Sequence, residues 1–203
     1  MRSLWLASAV GLVAALIGSP PAASQDPPDE IDLLARDLKD WTRMGTGKNP
    51  WQLTTDRTLS CAAVNDVYVP DDEFWDGTLK FEYRFVPTAE KTGYHASLSV
   101  RRTTTAPGCK VALGDDCGTI VGTFQGSSDR AKEVEIKPAV VLARPVGEWN
   151  QVTIEMRDRS VLVTINGKVA GSFDRCDSPH GLVFFEAEGS EVEFRKIHWH
   201  ESK

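Results

Sequence analysis

Two glutamates placed two positions apart, Glu186 and Glu188, have the residue type and spacing that best suit acid–base chemistry in this sequence. In an extended strand they lie on one face with their Cα atoms about 7 Å apart. Two carboxyl groups at that distance can act on one substrate as acid and base, with one pKa raised by the other. Glu82 joins them because it interrupts an otherwise strongly apolar segment. The alternative for all three is a solvated strand face with cross-strand ion pairs.

Other polar residues occupy strand faces opposite the predicted core. His95 is a candidate general base, a candidate metal ligand or a simple surface residue. Asp115 and Asp116, in the short loop between Cys109 and Cys117, are candidates for binding a cation or substrate hydroxyls, with turn formation as the alternative. Exposed tryptophans would matter for stacking on sugar rings, although core packing is the more ordinary role. The candidate substrate-binding residues are Arg84, Arg101 and Lys110, and the tryptophans considered are Trp51, Trp75 and Trp149.

Sequence motifs of other enzyme classes are absent. The chain contains no G-x-S-x-G, no H-E-x-x-H, no phosphate-binding loop and no dinucleotide-binding fingerprint. Residues 122–126 are rich in small side chains but follow no strand-to-helix pattern, so they predict a loop.

The candidate residues need a scaffold, and from residue 51 onward the sequence predicts one made of short strands. Asn166-Gly167 is a strong hairpin signal, because a type I′ turn needs positive φ at both positions. Residues 158–160 predict a second turn, and no segment shows a sustained helical period. This pattern predicts an all-β fold of two stacked antiparallel sheets. Alternation of apolar and polar residues marks strands at 78–86, 93–102, 149–156, 160–165, 181–187 and 191–199.

The N-terminus has the features of a secretory signal peptide. Arg2 precedes an apolar run over residues 4–17, and small side chains at 22–24 favour cleavage before Gln25. The run is shorter than the roughly 20 residues of a membrane span, and a retained anchor is the alternative. Residues 1–24 are therefore predicted as signal peptide, 25–30 as linker and 31–203 as one domain. A periplasmic or secreted protein, not inserted in a membrane after cleavage, is expected.

Four cysteines follow this predicted leader. An even number in an exported protein favours two disulfides. Cys109 and Cys117 are near enough to close a small loop, which leaves Cys61 to pair with Cys176. A zinc site or free thiols is the alternative, although no C-x-x-C pair or Cys/His spacing typical of zinc is present.

The net charge excludes some partners. It is −6 for the whole chain and becomes −7 when Arg2 is removed with the leader. A nucleic acid or an anionic membrane would require a basic face, so neither is expected. Neutral sugars are compatible with an acidic protein.

The order and spacing of several short segments resemble one family, the 3-keto-disaccharide hydrolase domains, which have a concanavalin-A-like lectin/glucanase jelly roll. The resemblance extends over residues 31–199. The segments that carry it are 40–41, 76–85, 92–96, 147–150, 165–168 and 191–197.

This resemblance implies an exported protein that acts on glycosides oxidised at C3 of the sugar. A ketone at C3 acidifies the C2 proton, so that a general base can remove it and the C1 substituent is expelled. Addition of water then gives net hydrolysis. The resemblance also implies that a divalent cation could polarise the ketone oxygen. A sugar 3-oxidoreductase that supplies the keto substrate is a possible functional partner.

The sequence departs from the family pattern near the candidate site. Residues 186–189 read Glu-Ala-Glu-Gly where the family commonly has Gln, then His two residues later, before a Gly. Ala112 replaces a usual polar residue, and His95 stands where Asn is common. The role of the family's His therefore passes to Glu188 or is lost.

The sequence thus predicts a hydrolase of 3-keto-glycosides whose Glu186, Glu188, Glu82 and His95 do the chemistry. A non-catalytic, lectin-like glycan-binding module is the alternative, and a structural envelope protein is the third hypothesis. The prediction of one active site requires five residues to converge in one cleft: Glu82, His95, Arg101, Glu186 and Glu188.

Overall fold

A computed structural model of the chain describes residues 30–62, 64–89, 92–125 and 131–202. The predicted signal peptide, residues 1–24, lies outside these described residues, as does the linker up to residue 29. Within them no helix is long and apolar enough to cross a membrane. The described residues form strands β1 (Glu30–Asp32), β2 (Trp41–Arg43), β3 (Trp51–Leu53), β4 (Leu59–Cys61), β5 (Asn65–Pro70), β6 (Gly77–Phe85), β7 (His95–Arg102), β8 (Cys109–Gly114), β9 (Ile120–Gln125), β10 (Ala131–Ile136), β11 (Asn150–Arg157), β12 (Ser160–Ile165), β13 (Lys168–Phe173), β14 (Leu182–Glu188) and β15 (Val192–Glu201).

These strands form two antiparallel sheets. The first, called the front sheet, has the order β10-β9-β8-β7-β14-β5-β2. The second, called the back sheet, has the order β13-β12-β11-β6-β15-β4-β3, with β1 paired to β15. The predicted all-β sandwich of two stacked sheets is confirmed. Strands β14 and β7 lie at the centre of the front sheet, and β6 and β15 at the centre of the back sheet.

The core lies between the sheets and follows from the alternation in the sequence. In β6, Leu79 and Phe81 are buried while Lys80 between them is exposed. In β14, Phe185 points inward and meets Phe194 of β15 edge to face, with ring centroids 5.2 Å apart. Such aromatic contacts add to the free energy gained from burying apolar area. The inward positions fix which side chains of each strand remain on the outer faces.

The turn and the loop predicted around glycines have different outcomes. Asn166 and Gly167 both have positive φ, 50° and 77°, which confirms the hairpin turn between β12 and β13. The loop predicted from residue 122 is wrong through residue 125, because β9 runs through it; residue 126 lies outside the described part. A Cβ at Gly122 would lie 2.4 Å from the Phe173 ring. The glycine therefore lets a core aromatic ring approach the backbone of a strand.

All four cysteines are free, buried thiols, so neither expected disulfide is present among them. Cys117 Sγ lies 3.1 Å from the Tyr83 hydroxyl oxygen instead of reaching Cys109. Burial raises the pKa of Cys109, and the charge of nearby Cys176 raises it further.

Candidate functional site

A polar cluster lies on the outer face of the front sheet, where β14, β7 and β8 are neighbours. The register sets Glu186 opposite Ser97, and Ser99 opposite Lys110. Side chains two positions apart in a strand share a face, so Glu188 lies on the same side as Glu186. The cluster therefore arises from strand register, which brings together residues 87 to 91 positions apart in the sequence.

Glu186 is the more enclosed carboxylate of this cluster, with 13% of its side chain exposed. Ser99 Oγ donates a 2.6 Å hydrogen bond to Glu186 Oε1, and Ser97 Oγ lies 3.3 Å from Oε2. Arg102 and Lys110 bring cationic nitrogens within 3.8 and 3.6 Å of the carboxylate oxygens. The Ser99 hydroxyl and two cations thus hold Glu186 in one orientation, with the Ser97 oxygen close by.

Glu188 is more open, with 35% of its side chain exposed. Its Oε1 accepts a 2.9 Å hydrogen bond from Ser97 Oγ and forms an ion pair with Lys110 Nζ. Among the described residues, no protein donor lies within hydrogen-bonding distance of its Oε2. One oxygen of Glu188 is therefore anchored, and the other is available to a ligand.

Lys110 is the cation that joins the two carboxylates. Burial tends to lower its pKa, but the hydrogen bond to Glu188 and the negative charges of Glu188 and Glu186 outweigh burial. The pKa of Lys110 is consequently raised above its ordinary value, and the side chain is an ammonium group at neutral pH. Such a group stabilises negative charge that develops on a nearby ligand oxygen.

His95 begins β7 on the same outer face and is exposed. The ladder pairs Ala96 with Ala187, so that His95 lies one position further along, opposite Glu188. Its backbone N–H donates a 2.9 Å hydrogen bond to Ser190 Oγ. Cross-strand neighbours on one face are close enough to act on a common ligand. The structure therefore brings His95 to the Glu188 end of the cluster.

The two candidate aspartates occupy the exposed turn after β8. A Cβ at Gly93 would lie 3.3 Å from His95 Nε2 and 3.4 Å from Asp115 Oδ2, so these two side chains border the same small space. The Asp116 carbonyl accepts a 2.9 Å hydrogen bond from Thr119 N within the turn. Asp115 thus lies beside His95, whereas this contact of Asp116 shapes the turn.

Glu82 and Arg84 lie on the other side of the molecule, on the outer face of the back sheet. Glu82 accepts hydrogen bonds from Arg195 Nε at 2.7 Å and Lys196 Nζ at 2.9 Å. Burial favours a higher pKa for Glu82, but these two cations outweigh it and lower the pKa. Arg84 forms an ion pair with Glu193 at 2.5 Å. The expected convergence of Glu82 with Glu186 is therefore wrong: the two carboxylates belong to different sheets.

Arg101 is also absent from the cluster, although its position in β7 predicts an outward side chain. Its φ of 58° turns the backbone out of the strand conformation, and the facing strand β14 shifts register between Leu182 and Phe184. The side chain is consequently buried and donates to Asp76 Oδ1 at 3.0 Å and to the Pro179 carbonyl. Arg101 holds loops together and contacts no open surface.

The three tryptophans considered for stacking have three different environments. Trp51 is buried, and its Nε1 donates a 2.9 Å hydrogen bond to Asp66. The ring of Trp149 is covered by the guanidinium of Arg195, 3.8 Å from the ring centroid. Trp75 alone among the three is largely exposed, at 52%.

Three residues of the cluster were not assigned a site role from the sequence. All three belong to β7. Two are buried serines on the same face of the strand as His95, and the third is the exposed arginine that follows Arg101. The alternation along β7 predicts that the two serines lie on the same face as His95. Serines on a strand face are too common for this alone to mark them as site residues. They are Ser97, Ser99 and Arg102.

The cluster does not fit a divalent metal ion. Within the described part of the chain, no group of three His, Cys, Asp or Glu side chains is placed to hold one. Lys110 lies between the two carboxylates, so a metal ion there would meet an ammonium group. A cation that polarises the ketone is therefore not supported by these residues.

Comparisons with known proteins agree with this fold. A family model described as a 3-keto-alpha-glucoside-1,2-lyase-like domain matches residues 30–200. A putative glycosyl hydrolase from Parabacteroides distasonis is similar in structure, with a TM-score of 0.63 and 20% identity over 86% of this chain and 94% of that chain. A comparison with curated protein sequences found no match.

Two further solved structures share the architecture. The β-glucanase of Bacillus licheniformis has a TM-score of 0.57 at 8% identity, over 86% of this chain and 97% of that chain. The carbohydrate binding module CBM66 of Bacillus subtilis has a TM-score of 0.56 at 11% identity, over 80% of this chain and 96% of that chain. At these identities the similarity establishes the fold alone, since one fold serves many functions.

Proposed function

The chain belongs to the family of 3-keto-α-glucoside-1,2-lyase-like domains, and from this premise we propose that it cleaves glycosides oxidised at C3 by elimination and hydration. One observation carries the assignment of the site. Glu188 presents an oxygen without a protein donor among the described residues, next to an ammonium group, on an open face of the front sheet. A base beside a cation suits the removal of a proton next to a carbonyl group.

In the proposed reaction, Glu188 Oε2 takes the proton from C2 of the keto-sugar. The electron pair of that C–H bond forms the enolate, whose C3 oxygen is stabilised by the Lys110 ammonium. The enolate then expels the C1 substituent, whose oxygen keeps the electron pair of the C1–O bond and takes a proton from His95 or from water. Water adds at C1 of the resulting enone, and a proton returns to C2, so the net result is hydrolysis.

Glu186 has a different proposed role because its oxygens are already engaged. Ser99 and Arg102 fix one oxygen, and Ser97 and Lys110 approach the other. It keeps Lys110 charged and in place, and its exposed edge can accept a hydrogen bond from a sugar hydroxyl. We assign to it the positioning of Lys110 and of the substrate.

We also propose that the protein acts outside the cytoplasm, since residues 1–24 have the pattern of a cleaved signal peptide. N-terminal sequencing of the protein recovered from the periplasm or the medium is expected to begin at Gln25. Recovery of the protein in the cytoplasm with its N-terminus intact contradicts this part of the proposal.

A lectin-like glycan-binding module is the second candidate. The observation that favours it is that the same protein groups hold both carboxylates, since Lys110 contacts both and Ser97 lies within hydrogen-bonding distance of both. A neutralised, hydrogen-bonding strand face can bind sugar hydroxyls without any chemistry.

One experiment separates these functions. The exported protein is incubated with a 3-keto-glucoside and with its unoxidised parent, with and without a chelator, and release of the aglycone is measured. Release from the keto compound only, unchanged by the chelator, is expected. We expect Glu188→Gln to lower the rate by about 10²-fold or more, whereas Glu82→Gln, on the back sheet, leaves it unchanged.

Two other outcomes would contradict the proposed reaction. Saturable sugar binding without release, abolished by Glu186→Gln, favours the lectin-like module. Absence of both release and binding rejects both carbohydrate functions and favours a structural protein.

A further inference from the structure

An exposed aromatic pair lies at the end of the front sheet remote from His95. Trp75, which is 52% exposed, stacks on the imidazole ring of His180 with ring centroids 4.3 Å apart and an angle of 20° between the planes. His180 Nδ1 lies 3.2 Å from Glu73 Oε2, on the side chain two residues before Trp75. Trp75 thus presents a large flat ring to solvent, while every other tryptophan in the described residues is buried or partly covered.

The backbone on both sides of Trp75 is fixed. Phe74 and Gly181 exchange two backbone hydrogen bonds, 2.9 and 3.1 Å long, which join the segment that carries Trp75 to the segment that carries His180. The buried Arg101 reinforces this junction, because its guanidinium donates to Phe74 O, to Pro179 O and to Asp76. The aromatic pair is therefore held in a defined geometry before any ligand arrives, which lowers the entropic cost of binding.

A cleft of about 630 Å³ opens on the His180 side of this pair, and Trp75 lies beside its lining rather than in it. Hydroxyl groups and carboxylates line it together with the edge of His180, so it offers many hydrogen-bonding groups but few apolar ones. The two carboxylates disfavour an anionic ligand, in line with the acidic charge of the whole protein. The lining residues used in this argument are Glu73, Thr103, Thr105, Asp177, Ser178 and His180.

The cleft and the Glu186 cluster lie along one strand. Leu182, at the start of β14, lines the cleft, and Glu186 follows four residues later. At the rise of a β-strand, this places them about 13 Å apart. Between them, the guanidinium carbon of Arg102 lies over the Phe184 ring, 4.5 Å from the centroid of that ring. A glycan chain can span this distance, whereas a single pyranose ring cannot.

We infer that Trp75 and His180 form a second carbohydrate-binding subsite, which binds a neutral pyranose ring of an oligosaccharide by stacking on the indole. The apolar face of one pyranose packs on the indole face that His180 leaves open, and the next ring of the oligosaccharide meets the polar groups of the cleft, among them Thr103, Thr105 and Glu73. Arg101 acts as a positioning residue behind this platform. The subsite goes beyond the proposed function, because binding there does not depend on chemistry at Glu188.

The test measures binding of cellohexaose, laminarihexaose and maltohexaose to the full exported protein by isothermal titration calorimetry. At least one of these neutral hexasaccharides is expected to bind saturably. Trp75→Ala is expected to weaken that binding about tenfold, and Trp75→Phe to retain most of it, because a flat ring remains. Val169→Ala, which trims an exposed apolar side chain on the back sheet, serves as the matched control and leaves binding unchanged.

The inference is overturned if none of the three hexasaccharides binds, or if Trp75→Ala binds as tightly as the wild type. An equal loss in Val169→Ala also overturns it. The rate of aglycone release from a small 3-keto-glucoside is measured in parallel with the wild-type protein. Trp75-dependent binding without any aglycone release rejects the proposed reaction and supports the subsite. Aglycone release without hexasaccharide binding supports the proposed reaction and rejects the subsite.

Discussion

Arg101 donates a 3.0 Å hydrogen bond to Asp76 Oδ1 from a side chain that is completely buried. The same carboxylate oxygen accepts a 2.8 Å hydrogen bond from the backbone N–H of Asp158, in the turn between β11 and β12. One buried cation thereby joins the front sheet to a turn of the back sheet. Burial lowers the pKa of Arg101 even though Asp76 opposes this effect, so the charge is tolerated only because its partners are in place.

We expect Arg101→Met to reduce the free energy of unfolding by about 2 to 4 kcal/mol. Methionine fills a similar volume but removes the guanidinium that donates to Asp76 and to the Phe74 and Pro179 carbonyls. Urea unfolding followed by circular dichroism measures the change. Arg175→Met, at an exposed arginine, is the control and is expected to stay within about 0.5 kcal/mol of the wild type. Equal stability of the two variants would contradict the role assigned to Arg101.

The alternation of residues predicts the strands well, because one side of each strand must be buried. It assigns Leu79 and Phe81 to the core between the sheets and Glu82 to the outer face of its strand, as the structure has them. It does not say which strands become neighbours, since parity fixes a face of a strand and not the sheet to which the strand belongs. For that reason Glu82 and Glu186 look alike in the sequence but lie on opposite sides of the sandwich.

Arg101 illustrates a second limit of sequence reasoning. Parity along β7 predicts that it points outward with Ser97 and Ser99, and a positive φ reverses this. Non-glycine residues adopt positive φ too rarely for the sequence to reveal the change. The family resemblance predicted the two-sheet sandwich correctly, but the contacts of Glu188 with Ser97 and Lys110 follow from the register of three strands.

Asp66 is expected to make stability depend on pH in the acid range. Hydrogen bonds from Arg43 lower its pKa more than burial raises it, and Trp51 Nε1 adds another donor. A carboxyl group with a lowered folded-state pKa stabilises the protein above its unfolded pKa, about 3.9. That contribution is lost as the pH falls through the folded-state pKa.

Asp66→Asn should therefore unfold more easily than the wild type at pH 7, and the difference should shrink between pH 5 and pH 3. Urea unfolding at pH 7, 5 and 3 measures this dependence. The control is Asp174→Asn, at an exposed aspartate, which should follow the wild type at each pH. A difference for Asp66→Asn that stays constant from pH 7 to pH 3 contradicts the linkage.

The thiols are expected to be inert in the folded protein. Burial raises the pKa of Cys61 to about 12 and that of Cys176 to about 11, so almost no reactive thiolate exists at pH 8. Ellman's reagent should detect no thiol in the native protein and four thiols per chain in denaturant. A fast-reacting native thiol contradicts the burial described here. Finding no thiols in denaturant would instead establish the two disulfides that the sequence predicts.

Removal of the Lys110 ammonium should lower the rate of the proposed reaction. Lys110 contacts Glu186 and Glu188, and Ser97 lies within hydrogen-bonding distance of the same two carboxylates. Without the cation, the two carboxylates repel each other, and no positive charge remains beside the substrate oxygen on which the enolate charge develops.

Lys110→Gln tests this expectation with a 3-keto-glucoside as substrate, by measuring kcat/KM at pH 7. The rate should fall by about 10-fold or more, because no cation remains to stabilise the enolate oxygen. Lys110→Arg keeps the charge and should retain most of the rate. Lys80→Gln, at an exposed lysine of the back sheet, should leave the rate unchanged. An unchanged kcat/KM in Lys110→Gln would show that Lys110 does not stabilise the enolate, and the role assigned to it would have to be abandoned.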